Sequence, residues 1–190
     1  MSLLFTLGYV GEQKVTLDLS EIKNLLIVGT TMSGKTNLIC NILDELASTI
    51  ETIIFDPKMV EYYNYQDKCH YINSVEEFEK QLNGITGPKM IVIDEFYEIV
   101  SYDKNFENRI YELLAQDDLH FIISTQHLSK TGVKQSLIDS IKNRVATRIN
   151  IKDFSKYVVG NDNAIKTKMG QLIYNQMNNS FVDVVYNKNN

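Results

Sequence analysis

The chain has 190 residues, 44% of them hydrophobic, and a formal net charge of −5. That length fits one domain with a sizeable core and no need of disulfides. The acidic total shows no sign of the broad basic face with which proteins wrap nucleic acid. The longest apolar runs are about five residues, far short of the roughly 18 that span a bilayer. The N-terminal MSLLFTLGYVGEQK has neither the basic segment nor the long apolar segment of a signal peptide. A cytoplasmic protein without membrane insertion is the expectation. Cys40 and Cys69 make at most one pair, and no CxxC or histidine-rich metal spacing occurs, so two reduced thiols are expected. His70, His120 and His127 are scattered and read as core or surface residues.

In chain order, residues 3–19 (LLFTLGYVGEQKVTLDL) read as a hairpin, with apolar residues alternating around Gly8 and Gly11. Five short apolar strands follow: 25–28, 52–55, 90–93, 121–124 and 145–149. Helical periodicity at 35–48, 75–83, 105–116 and 134–142 separates most of them. Near-continuous apolar strands alternating with helices imply an α/β fold, a mostly parallel sheet covered on both faces. A second hairpin, 171–175 with 181–186, turns around QMNN, and the polar tail NKNN frays. The expected organisation is one domain, 1–190: an N-terminal hairpin (1–20), a core (21–150) and a C-terminal extension with its hairpin (151–190).

Between the strand at 25–28 and the helix at 35–48 runs Gly29-Thr30-Thr31-Met32-Ser33-Gly34-Lys35-Thr36, a full match to GxxxxGK[ST]. Glycines let the backbone curl until successive N–H groups point at phosphate oxygens. The following helix turns the positive end of its dipole to the same charge. Lys35 would then reach the β- and γ-phosphates of a bound nucleotide, and the Thr36 hydroxyl would bind Mg²⁺.

MIVIDEF puts Asp94 and Glu95 at the end of an apolar strand about 60 residues further on. There Asp94 holds Mg²⁺ through water, and Glu95 orients and deprotonates the attacking water. Glu98 lies further out, on the surface. Thr125-Gln126 ends another strand, where an amide either touches the γ-phosphate or the lytic water, or faces solvent. In Asp56-Pro57-Lys58 the sequence says only that a strand stops at Pro57 with opposite charges on either side.

Taken together these segments resemble the motor domain of the FtsK/SpoIIIE DNA translocases, within the FtsK–HerA superfamily of ring ATPases. The similarity is colinear over most of the chain. LGYVGEQKVTLDLSEIKNLLIVGTTMSGKT looks like the family's opening hairpin and phosphate loop, IIFDPKMVEY like its DPK segment, and IVIDEF like its Walker B strand. HFIISTQHLS, IKNRVATRINI and MGQLIY look like later family segments. The resemblance implies a RecA-like P-loop NTPase core, ATP with Mg²⁺, a hexameric or pentameric homo-oligomeric ring, and double-stranded DNA in its pore. It places nucleotide roles on Gly34, Lys35, Thr36, Asp94 and Glu95, with Gln126 as polar sensor.

The chain also departs from that pattern. Met32 stands where a glycine is usual, with a side chain expected to crowd the loop. The family's trans-acting arginine has no counterpart at Ala115-Gln116-Asp117, which leaves Arg109, Arg144 and Arg148 as candidates. The family's pore loop falls on HLSKTGVKQS, making Lys130 and Lys134 candidate DNA contacts, with Lys104 weaker. The membrane segment, linker and DNA-reading module of bacterial FtsK are not matched, so a stripped-down motor is expected. Its expected work is packaging of a phage or viral genome, with a portal as partner, or DNA transfer for a mobile element. The alternatives are a protein-secretion ATPase and a nucleotide-binding assembly module with weak turnover.

Overall fold

A computed structural model describes residues 2–59, 61–126, 133–176 and 180–185. The N-terminal hairpin is β1 (Leu4–Val10) with β2 (Gln13–Asp18), and a short helix α1 (Leu19–Ile22) follows. Asp18 caps α1 by accepting the Ser20 N–H, a role suited to a short acidic side chain. Next come β3 (Asn24–Val28), α2 (Lys35–Leu46) and β4 (Glu51–Phe55). After them run β5 (His70–Ile72), α3 (Val75–Asn83) and β6 (Lys89–Ile93). Two helices, α4 (Phe96–Tyr102) and α5 (Lys104–Leu113), lead to β7 (Leu119–Thr125). The chain ends with α6 (Gln135–Ser140), β8 (Asn143–Ala146), α7 (Lys152–Val159), β9 (Gln171–Gln176) and β10 (Ser180–Val185).

All ten strands form one sheet in the order β2-β1-β10-β9-β8-β3-β7-β6-β4-β5. The stretch from β8 to β5 is parallel throughout. The two hairpins extend it antiparallel, β9 against β8 and β10 bridging β9 to β1. The P-loop NTPase architecture expected from the sequence is therefore present, with each predicted strand within two or three residues of its place.

Four elements went unread in the sequence. α1 and β5 are too short to show a period. α4 lies ahead of the predicted helix 105–116, which the structure realises as α5; the two meet at Asp103, which caps α5 through the Asn105 N–H. α7 lay in a segment given no helical assignment.

Apolar side chains leave the sheet on both faces. Leu26 and Val28 of β3 join one core with β6, β7 and α4–α7, while Leu25 and Ile27 join the other with α2 and β1. Every residue of β3 and of β7 is buried, as strands covered on both faces require. The carboxyl ends of the parallel strands β3, β4, β6, β7 and β8 accordingly lie along one edge, where open α/β sheets bind ligands.

Candidate nucleotide site

The loop Gly29–Gly34 joins the centre of the sheet to α2. Gly29 is required by space: a Cβ there would lie 1.8 Å from Thr147 Oγ1 and 2.6 Å from Ser33 Oγ. The loop is pinned from β8's side. Thr30 N–H donates to the Arg148 carbonyl at 2.8 Å, and Ser33 Oγ lies 2.7 Å from Thr147 Oγ1 and 2.6 Å from the Thr30 carbonyl. Gly34, with φ 98°, is the N-cap of α2 and offers no capping side chain. The first turn of α2 thus presents its N–H groups and its positive dipole end to whatever occupies the loop. A cavity of about 270 Å³ lies there, lined by residues 31–37 with Glu61 and Met169.

Met32 adopts φ 57° and is 83% exposed. The expected crowding is not seen: the side chain leaves the loop for solvent, and its cost is a left-handed backbone in place of a clash.

Lys35 is 6% exposed, with Nζ 3.3 Å from the Thr30 carbonyl and 3.9 Å from Glu95 Oε1. Burial pulls its ammonium below the ordinary lysine value, opposed by the Glu95 and Asp94 carboxylates. Asp94, 4% exposed at the end of β6, accepts hydrogen bonds from Ser124 Oγ and from the Glu95 N–H at 3.0 Å. Burial nevertheless raises its carboxyl above the usual range. The Tyr62 hydroxyl is buried beside the Asp94 carboxylate, and burial holds that phenol far above its ordinary value.

Glu95 takes φ 52°, an uncommon backbone for a glutamate. Its Oε1 accepts the Gln126 side-chain amide, and Gln126 Oε1 accepts the Thr31 hydroxyl at 2.6 Å. A continuous bonded path therefore links the phosphate loop to Gln126 and on to Glu95. Lys58 also reaches Glu95 Oε1, at 3.5 Å, and Glu98, at 3.2 Å.

The structure thus brings together every predicted residue of the phosphate loop with Asp94, Glu95 and Gln126. The arginines divide. Arg144 donates to the carbonyls of Ile138, Ile141 and Tyr157 and pairs with Asp139. Arg109 donates to the Leu82 carbonyl and pairs with Glu112. Arg148 is exposed next to the phosphate loop, and its guanidinium has no partner among the described residues. Lys134 is held against α5, its ammonium donating to Asn108 Oδ1 and its backbone N–H to Glu107 Oε1. Lys130 and His127 lie outside the described residues, as does any account of the Lys104 side chain. Both cysteines are free, as expected.

Sequence reasoning missed Ser124, Thr147 and Lys58 as parts of the site. Ser124 and Thr147 are wholly buried hydroxyls at the ends of apolar strands, and that mismatch of residue type with its neighbours was the available signal.

The oxygen donors suit Mg²⁺. Among the described residues the buried Asp94 carboxylate makes no close ion pair, Lys35 being the nearby cation, and the Thr36 hydroxyl stands at the head of α2. Magnesium needs only one or two such protein ligands alongside waters and phosphate oxygens.

A strand–glycine loop–lysine–helix unit facing an Asp-Glu strand end, on a parallel sheet, defines a P-loop NTPase. Residues 5–188 match the family described as the central domain of the helicase HerA, and the chain belongs to that family, within the FtsK–HerA superfamily. Among curated relatives are the DNA translocase FtsK of Campylobacter jejuni, 24% identical over 79% of this chain, and that of Helicobacter pylori, 25% identical over 82%. The chain spans only 21% and 24% of those two proteins.

Similar solved structures include the pCW3 conjugation coupling protein TcpA with ATPγS. Its TM-score is 0.86 at 17% identity, covering 97% of this chain and 66% of that one. The genome packaging NTPase B204 of Sulfolobus turreted icosahedral virus 2 gives 0.66 at 16% identity, over 87% of this chain and 97% of that one. The Thermomonospora curvata secretion ATPase EccC gives 0.81 at 18% identity, over 97% of this chain and 28% of that one. At these identities the structural likenesses speak to fold. No helix among the described residues is long and apolar enough to cross a membrane.

Proposed function

We propose that the chain is an ATP-hydrolysing motor domain that moves double-stranded DNA as part of a homo-oligomeric ring. The observation that carries this reading is the bonded path Thr31–Gln126–Glu95, which ends beside Lys35 and Asp94 at the mouth of the phosphate loop. Loop amides, the α2 N-terminus and Lys35 hold the triphosphate. Mg²⁺, held by Thr36 and Asp94, would neutralise charge on the β- and γ-phosphate oxygens. Glu95 orients a water in line with the γ-phosphate and takes its proton, and Gln126 senses whether that phosphate is still attached. Because Gln126 touches both the phosphate loop and Glu95, a change on one side alters the position of the other.

The names of the FtsK relatives, of TcpA and of B204 favour DNA as the substrate, with genome packaging or DNA transfer as the role. Lys130 and Lys134 remain the proposed contacts, multiplied by a ring into a band of charge. Of the arginines we assign Arg148 to the nucleotide, since Arg109 and Arg144 are committed within the fold. The Arg148 backbone sits against its own Thr30, which favours the nucleotide of the same subunit over the trans role that the family resemblance implies.

The likeness to EccC favours a second reading, a protein-secretion ATPase. ATP hydrolysis measured with and without double-stranded DNA separates the two. Strong stimulation supports the motor, and slow turnover indifferent to DNA supports secretion or an assembly module. Mixing Lys35→Ala with Arg148→Ala subunits tests the arginine: restored turnover would mean that Arg148 acts across a subunit boundary.

A further inference from the structure

Lys58 stands on the loop that follows β4, and the loop is built to hold it. The buried Asp56 carboxylate accepts the Lys58 N–H at 3.0 Å and the Glu61 N–H at 3.3 Å, and the Tyr71 hydroxyl donates to it at 2.9 Å. Pro57 fixes the backbone between them. The outcome is an ammonium 3.5 Å from Glu95 Oε1 and 3.2 Å from Glu98 Oε1.

Glu95 Oε1 therefore has two lysines before it, and they are not equivalent. Lys35 is enclosed and stands over the Thr30 carbonyl inside the phosphate loop. Lys58 is on the rim, its side chain 41% exposed, and is anchored outward by Glu98, itself 50% exposed. A triphosphate arriving in the loop competes for Lys35. Were Lys35 the sole countercharge of Glu95, its transfer to phosphate would leave a buried carboxylate unpaired beside a polyanion, an arrangement that swings the carboxylate out of place.

We propose that Lys58 is a positioning residue for Glu95, held by the Asp56 loop and Glu98, which keeps that carboxylate charge-balanced and aimed while Lys35 serves the phosphates. It rests on the ATPase reading above. Lys58 need not touch nucleotide: it acts through Glu95, in company with Gln126. Lys35, Lys58 and the Gln126 amide all converge on Glu95 Oε1, so the position of that one oxygen decides whether water is aligned.

The test compares full-length Lys58→Met, Lys58→Arg and Glu98→Gln in steady-state ATP hydrolysis with double-stranded DNA, and in calorimetric titration with a non-hydrolysable ATP analogue. Lys58→Met is expected to lower turnover about tenfold or more, the scale of losing a charge-assisted contact, while analogue affinity and thermal midpoint hold. Lys58→Arg is expected to retain most of the turnover, and Glu98→Gln to fall between. Equal turnover in Lys58→Met and the parent would overturn the proposal. So would Lys58→Arg being as impaired as Lys58→Met, which would mean a role in loop shape. A parallel loss of analogue affinity in Lys58→Met would overturn it too, placing Lys58 in nucleotide binding. A parent chain with no turnover dependent on Lys35 is a different result, which removes the ATPase reading itself and this proposal with it.

Discussion

The Thr147 hydroxyl occupies the space a side chain on Gly29 would need: a Cβ on Gly29 falls 1.8 Å from Thr147 Oγ1. That approach ties the end of β8 to the first residue of the phosphate loop. Ser33 completes it from the other end of the loop, 2.7 Å from the same hydroxyl. Gly29→Ala is expected to lose about 1–3 kcal/mol of stability, the usual cost of forcing extra volume into a packed site, and to bind nucleotide poorly. Adding Thr147→Ala removes the worst overlap and recovers part of the loss, leaving the 2.6 Å approach to Ser33. Denaturant unfolding of both single variants and the double variant would reveal this coupling.

Met32 is a second test of the loop. Its side chain is in solvent and its backbone is left-handed. Met32→Gly relieves the backbone and loosens the unfolded chain, for a net gain of at most about 1 kcal/mol. Thermal unfolding is expected to shift upward slightly with nucleotide affinity unchanged. A marked drop in affinity would mean that the side chain works on the nucleotide.

The arginines give opposite outcomes. Arg144 satisfies three carbonyls and stacks against Tyr157, its guanidinium carbon 5.8 Å from the ring centre. Arg144→Ala is expected to cost about 2–3 kcal/mol by leaving part-buried acceptors unpaired. Arg148→Ala leaves the unfolding midpoint in place and lowers ATP turnover. Paired stability and turnover measurements on the two variants would check this.

Most of this site was legible because phosphate binding imposes its own spacing. GTTMSGKT and the Asp-Glu strand end can be read with no fold in hand, and the apolar runs placed the parallel strands. Ring closure of the network was not legible. That Gln126 meets Glu95 depends on β7 lying between β3 and β6, and strand order is not written in any local period. Lys58 was visible only as a charge after a proline, since its partners Glu95 and Glu98 are about 40 residues away. α4 was hidden for another reason: its seven residues follow directly on the Asp-Glu strand end and span about two turns, too few to establish a helical period. The arginines looked alike in sequence, and only their carbonyl partners separate them.

Asp18 predicts a pH dependence away from the nucleotide. Burial opposes its charge, but the Ser2 and Ser20 hydroxyls and the Leu3 and Ser20 amides hold the carboxyl well below its ordinary value of 3.8. A carboxylate depressed on folding stabilises fully above the unfolded value and loses that contribution as the pH falls below it. Asp18→Ala is therefore expected to be about 1 kcal/mol less stable at neutral pH, the scale of an N-cap. The gap between variant and parent should close as the pH drops below 3.8. Denaturant midpoints across that range provide the check, and a gap constant with pH would count against it.

The most direct measurement is calorimetric titration of the full chain and of Lys35→Ala with a non-hydrolysable ATP analogue and Mg²⁺. Saturable binding at one site per chain is expected in the parent, and its loss in Lys35→Ala. No binding by the parent, or equal binding by both, would contradict that expectation.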